Sequence, residues 1–95
     1  MKVYLDNAAT TPMHPEVIKV MHEVMSDYFG NPSSIHAKGR EVKTLIEDAR
    51  RQVAKLLGCT PGEIFFTSGG TEADNMAIRE AVHTLGVKHI ITSPI

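Results

Sequence analysis

Apolar residues recur at helical spacing over the first half of the chain and give way to short continuous runs beyond it. Val17, Val20, Met21, Val24, Met25 and Tyr28 follow one another at steps of three and one, which makes a single apolar stripe. Pro15 stands where a helix places its first residue, so a helix is predicted from Pro15 to Tyr28. Gly30 can supply the turn that ends it, and Pro32 prevents its continuation. A second helix is predicted from near Ser34 to Leu57. It carries Val42, Leu45, Ile46, Ala49, Val53, Leu56 and Leu57 on one face, with Glu41, Lys43, Glu47, Arg50, Arg51 and Lys55 around the other. Gly39 weakens the first turns, which leaves Gly39 or Arg40 as an alternative start. Glu47 and Arg51, four apart, add only a few tenths of a kcal/mol, so the charged side reads as a solvated face. Gly58 closes the helix, and Cys59-Thr60-Pro61-Gly62 is a turn.

The pattern then changes. Glu63 to Thr67 contains Ile64, Phe65 and Phe66, an apolar run of strand type bounded by turn formers. A third helix is predicted from Thr71 to Leu85, with Ala73, Met76, Ala77, Ala81 and Val82 inward and Gly86 at its end. Lys88 to Ser93 begins like a second buried strand. Strand, helix and strand at 63–93 make a βαβ unit, whose strands pair in parallel through a right-handed crossover. The expected class is therefore α/β. Two parallel strands alone would leave edges and faces uncovered, so the 95 residues are expected to be the front part of a larger α/β protein.

Ser68-Gly69-Gly70-Thr71 joins the first strand to the third helix and draws the chemistry to itself. Glycines let a ligand come close to the backbone, and a helix that starts near Thr71 presents unpartnered N–H groups and the positive end of its dipole. An anion, commonly phosphate, fits such a junction, with the Thr71 hydroxyl as a further donor. A plainer alternative stands beside it: Thr71 as an N-cap with Asp74 three residues on. Neither Gly-x-x-x-x-Gly-Lys-Ser/Thr nor Gly-x-Gly-x-x-Gly is present, which argues against a nucleotide site of either kind.

Composition narrows the field further. A net charge of -1 gives no field that would attract nucleic acid or an anionic membrane. No apolar run reaches the roughly 18 residues of a membrane span, and a cytoplasmic location is the expectation. The single cysteine cannot form an internal disulfide. As one small domain, 95 residues would bury about 60 to 65% of their unfolded surface.

Three separated segments carry a resemblance: Tyr4-Leu5-Asp6-Asn7-Ala8-Ala9-Thr10-Thr11-Pro12, Gly30-Asn31-Pro32-Ser33-Ser34-Ile35-His36-Ala37-Lys38-Gly39-Arg40, and Phe66-Thr67-Ser68-Gly69-Gly70-Thr71-Glu72-Ala73-Asp74-Asn75. In this order and at these distances they resemble the N-terminal quarter of the cysteine desulfurases of the NifS and IscS kind, pyridoxal-phosphate enzymes of the aminotransferase class V fold. Selenocysteine lyases and other class V members share much of the pattern. The resemblance implies a type I pyridoxal-phosphate transferase fold, with residues 1–14 as an N-terminal arm and 15–95 as the start of the large cofactor-binding domain. It also implies that Gly70 and Thr71 hold the phosphate of pyridoxal 5'-phosphate. The implied reaction takes sulfur from L-cysteine, leaves L-alanine and an enzyme persulfide, and passes the sulfur to an acceptor such as an iron-sulfur scaffold. A homodimer is implied as well. The segments around Asn7 and Arg40 lie near the active site in the family, although turn hydrogen bonds or an ion pair account for these two residues more simply.

The family's catalytic lysine and cysteine lie beyond this chain, so none of its residues is assigned to catalysis. Lys88 opens the second strand whereas the phosphate turn follows the first, a separation of roughly 15 Å that one lysine does not bridge. Cys59 has no base beside it in the sequence and reads as an incidental thiol. His14, His22, His36, His83 and His89 lack ligand spacing, and no metal site is expected. A stand-alone module that binds a phosphorylated small molecule, and a helical unit that pairs subunits, remain as alternatives from other functional classes.

Overall fold

The computed structural model describes residues 1–93 as three α-helices and a short 3-10 turn joined by irregular segments. Helix α1 runs Pro15–Asp27, α2 runs Ala37–Leu57, the 3-10 turn covers Pro61–Glu63, and α3 runs Gly70–His83. Pro15 opens α1 as its fixed φ favours. The His14 side chain caps the helix by accepting the Glu16 N–H at Nδ1, 3.3 Å away. In the same way His36 Nδ1 accepts the Gly39 N–H at the start of α2, at 3.4 Å. The cap at His36 starts α2 at Ala37, later than Ser34 and earlier than Gly39. Gly58 ends it with φ 70°, a left-handed conformation that glycine adopts without a Cβ penalty, while the Cys59 N–H returns to the Ala54 carbonyl at 3.0 Å.

The segment between α1 and α2 is closed on itself. Asn31 Oδ1 accepts the Ser33 N–H at 2.9 Å, and the Asn31 carbonyl accepts the Ser34 N–H at 3.0 Å. Gly39 is buried beneath this turn. A Cβ there would lie 2.3 Å from the Ser34 carbonyl oxygen. At the N-terminus, Asp6 accepts the Ala9 N–H at 3.1 Å, and the Tyr4 hydroxyl donates to the Asp6 carbonyl at 3.0 Å. The polar segment that follows Leu5 is thus a hydrogen-bonded turn.

Two expectations are corrected. The parallel strand pair expected at 63–93 is not confirmed: among the described residues there is no β-ladder, and Glu63 belongs to the 3-10 turn. Ile64 is extended at φ -100°, ψ 122°, but an extended segment becomes a strand only when a neighbour takes its N–H and C=O groups. The stretch 88–93, whose βαβ partner it was, is irregular as well. The domain expected over 15–95 reaches two residues past those described.

The second correction concerns the core. Ala54 is the buried hydrophobic residue among those described, while Val17, Val20, Met21 and Met25 of α1 and Leu56 and Leu57 of α2 remain exposed. The accessible surface is 8696 Å², against about 5,400 Å² for a compact chain of this mass. The radius of gyration is 18.1 Å, where a compact domain of this length would have about 12 Å. The cause lies in the arrangement of the helices: α2 touches the 3-10 turn, and no other pair of elements is in contact among the described residues. The apolar stripes were correctly located, but this chain does not cover them with itself.

Candidate functional site

The junction between the extended segment and α3 is held by side chains on either side. Thr60 and Glu63 form one clasp, in which the Thr60 N–H and hydroxyl both donate to Glu63 Oε2 at 2.7 Å. Ser68 and Glu72 form the second, with the Ser68 N–H and hydroxyl both donating to Glu72 Oε2 at 2.7 Å. Both carboxyls are held below their ordinary value of 4.5. For Glu72 the Ser68 hydroxyl is the larger cause and the Ser68 amide the next; for Glu63 the Thr60 amide comes first and its hydroxyl second. Each donor stabilises the ionised oxygen.

Between the clasps, Arg50 reaches across from α2. Its guanidinium donates to the Ile64 carbonyl, its Nε lies 3.3 Å from Glu47 Oε1, and its Cζ sits over the Phe66 ring, 4.9 Å from the ring centre. The sequence pattern had put Arg50 on a solvated face and paired Glu47 with Arg51. Instead Glu47 pairs with Arg50, and Arg51 pairs with Asp48. The i, i+3 neighbours win because both pairs also satisfy the guanidinium from nearby on the same helix flank.

Helix α3 begins one residue before the expected Thr71. Gly69 is its N-cap and its carbonyl accepts the Ala73 N–H at 3.2 Å, so Gly70, Thr71 and Glu72 are the first three helical residues. Thr71 is therefore not the N-cap, and its carbonyl accepts from Asn75 Nδ2 at 2.8 Å. The carboxylate that turns back is Glu72, which accepts from Ser68 four residues earlier, rather than Asp74. Gly69 has φ 171° and ψ 178°, extended backbone open to any residue, so no sharp glycine turn occurs here. What the two glycines leave is room: a Cβ built on Gly69 or on Gly70 would meet nothing within 4 Å.

No acceptor among the described residues takes the N–H groups of Gly70, Thr71 or Glu72. All three point along the helix axis toward its N-terminal end, as first-turn amides do. The donor set is uncharged, directional and reinforced by the dipole, which suits a phosphate. A trough of about 600 Å³ runs along the neighbouring face, lined by Phe65, Thr67, Ala73, Met76 and Ala77 with the acidic residues Glu63 and Glu80. Lys88 is exposed in an irregular segment, and Cys59 is half-buried just past α2. Arg40 donates to the Ile35 carbonyl and so braces the start of α2. Among the described residues no group of three or more His, Cys, Asp or Glu side chains could hold a metal, and no helix is long and apolar enough to cross a membrane.

A glycine-flanked helix start with open amides, reached from an extended apolar segment, can receive a phosphate. Residues 3–95 match the aminotransferase class-V family, and the chain belongs to it. Members of this family use pyridoxal phosphate, and the residues at the start of α3 fit its phosphate group. Among individual proteins, the chain is 53% identical to cysteine desulfurase IscS of Dictyoglomus turgidum, over 99% of this chain and 24% of the relative. It is 50% identical to a putative cysteine desulfurase IscS 1 of Bacillus subtilis, over 99% of this chain and 25% of that protein. Selenocysteine lyase of Bos taurus is 49% identical over 85% of this chain and 18% of its own length. The chain spans about a quarter of the length of the curated relatives it matches.

Proposed function

We propose that the chain is the cofactor-anchoring front portion of a pyridoxal-phosphate cysteine desulfurase, which takes sulfur from L-cysteine and leaves L-alanine and an enzyme persulfide. In this role the amides of Gly70 and Thr71 and the Thr71 hydroxyl hold the cofactor phosphate. The observation that carries the assignment is the set of open N–H groups at Gly70, Thr71 and Glu72, beside two glycines with nothing within 4 Å of their Cβ positions. Bound there, pyridoxal phosphate supplies an electron sink for the substrate carbon that bears the amino group. The chain's own part is to fix the phosphate and thereby the orientation of the ring. The Ser68–Glu72 clasp keeps the loop from drifting. The catalytic lysine and the persulfide cysteine are assigned to the remainder of the protein, and neither Lys88 nor Cys59 replaces them.

Several further features belong to the same proposal: residues 1–14 as an arm and 15–95 as the start of the large domain, a parallel sheet completed by strands from the remainder, a homodimer, a cytoplasmic setting, and an acceptor such as an iron-sulfur scaffold. A stand-alone binding module is disfavoured by the 8696 Å² of accessible surface, which leaves no closed core to support a site. Selenocysteine lyase is the second reading, favoured by the 49% identity to the bovine protein. Alanine release from L-cysteine and from L-selenocysteine by the full-length protein separates the two.

The phosphate assignment is tested by Thr71→Ala in the full-length protein. Loss of one hydroxyl hydrogen bond to a charged group is worth about 1.5–3 kcal/mol, so cofactor affinity is expected to fall roughly ten- to hundredfold. Pyridoxal, which lacks the phosphate, should bind the variant and the parent equally. Unchanged affinity for pyridoxal phosphate would remove Thr71 from the site.

A further inference from the structure

Among the described residues, one side chain carries the hydrogen bond that ties the segment leading into the phosphate loop to another helix. The clasps at Thr60–Glu63 and Ser68–Glu72 are local, each closing within a few residues. Neither reaches another helix. Arg50 does, joining α2 to Ile64 and Phe66 across fourteen positions of sequence. It uses three different parts of the guanidinium at once: an NH1 donor for the Ile64 carbonyl, Nε for Glu47 Oε1 at 3.3 Å, and Cζ over the Phe66 ring, 4.9 Å from its centre. The side chain is 23% exposed, so these contacts are partly shielded from water. A planar, delocalised cation serves all three together, which a lysine ammonium does not.

Ile64 and Phe66 lie six and four residues before Gly70. We propose that Arg50 is a positioning residue for the cofactor phosphate: by holding the 64–66 backbone against α2 it aims the Gly70 and Thr71 amides, without touching the cofactor itself. This role rests on the assignment of those amides to the phosphate.

The test compares the full-length parent with Arg50→Met and Arg50→Lys, measuring affinity for pyridoxal phosphate, affinity for pyridoxal, and melting temperature. Misplacing charge-assisted hydrogen bonds should weaken pyridoxal phosphate about tenfold in Arg50→Met. Pyridoxal affinity should stay within about twofold of the parent, far below the tenfold that 1.4 kcal/mol represents. Arg50→Lys, which keeps the charge and folds more readily, should lose about threefold, again for the phosphorylated ligand alone. A side chain that matters only for stability would lower the melting temperature and weaken both ligands equally, or neither. Either result would overturn the assignment. Thr71→Ala, run alongside, separates two failures. A phosphate-specific loss there with none at Arg50 overturns the role of Arg50 alone, and no phosphate-specific loss in any variant overturns the cradle and Arg50 together.

Discussion

Alanine at Gly39 would put a methyl group where two backbone carbonyls already stand. The built Cβ lies 2.3 Å from the Ser34 oxygen, 2.7 Å from the Asn31 oxygen and 2.8 Å from Ser34 Cβ. An unstrained contact is about 3.5 Å, so the overlap is on the order of 1 Å. Backbone cannot swing aside as a side-chain tip does. Relief therefore has to come from opening the 31–34 turn, with loss of the 3.0 Å bond from the Ser34 N–H to the Asn31 carbonyl. Overpacking of this kind costs about 1–3 kcal/mol. Against it stands the better helix propensity of alanine, worth about 1 kcal/mol within α2. The net expectation is a destabilisation of up to about 2 kcal/mol, toward the upper end because two oxygens are displaced together. Gly62→Ala is the control, since a Cβ there would meet nothing within 4 Å. Thermal unfolding of the full-length protein, with the two variants side by side, should lower the midpoint for Gly39→Ala and leave Gly62→Ala within about 0.5 kcal/mol of the parent. A Gly39→Ala protein that melts at or above the parent would refute the reasoning, because propensity would then have outweighed the clash.

The remaining expectations concern caps and clasps. The first turn of α2 holds no acidic residue and its cap is an imidazole at 3.4 Å, so His36→Asp should stabilise the helix by about 0.5–1 kcal/mol, read from the midpoint of unfolding. The Glu72 and Glu63 carboxyls are held below 4.5 by their clasps. With folded values lowered, their contribution is complete above pH 4.5 and is lost as pH falls below it through the folded values. Hydrogen exchange at the Ser68 amide should therefore quicken, relative to its intrinsic rate, as pH drops below 4.5, and Glu72→Gln should abolish that acid limb. An acid limb that survives in Glu72→Gln would assign it to other groups.

What the sequence made legible follows from which interactions are local. Helix ends were readable to within a few residues because Pro15, Gly58 and the glycines before α3 act on their own neighbours. The strand pair at 63–93 was not realised because a ladder is a non-local contract, and Ile64 to Thr67 find no partner among the described residues. Arg50 was misread for a related reason: helical periodicity reports the face on which a residue lies. It does not report that a long, flexible side chain can leave that face and meet a carbonyl fourteen positions on. The burial expected of a small domain failed because the elements that carry the apolar stripes do not meet: among the described residues α2 touches the 3-10 turn and no other pair of elements is in contact.

The start of α3 shows the same division at the scale of single donors. A carboxylate and a phosphate placed at one helix terminus would compete for the same amides. In the proposed site they take different ones. Glu72 takes the Ser68 N–H and hydroxyl with a single oxygen, so its charge is satisfied outside the helix. The amides of Gly70, Thr71 and Glu72 meet no acceptor among the described residues, which leaves them to the proposed phosphate. Had the turned-back acid been Asp74 on a Thr71 N-cap, the Thr71 amide would have been engaged by that carboxylate. With Gly69 as the N-cap, the Gly70 and Thr71 amides are both open to the role proposed for them.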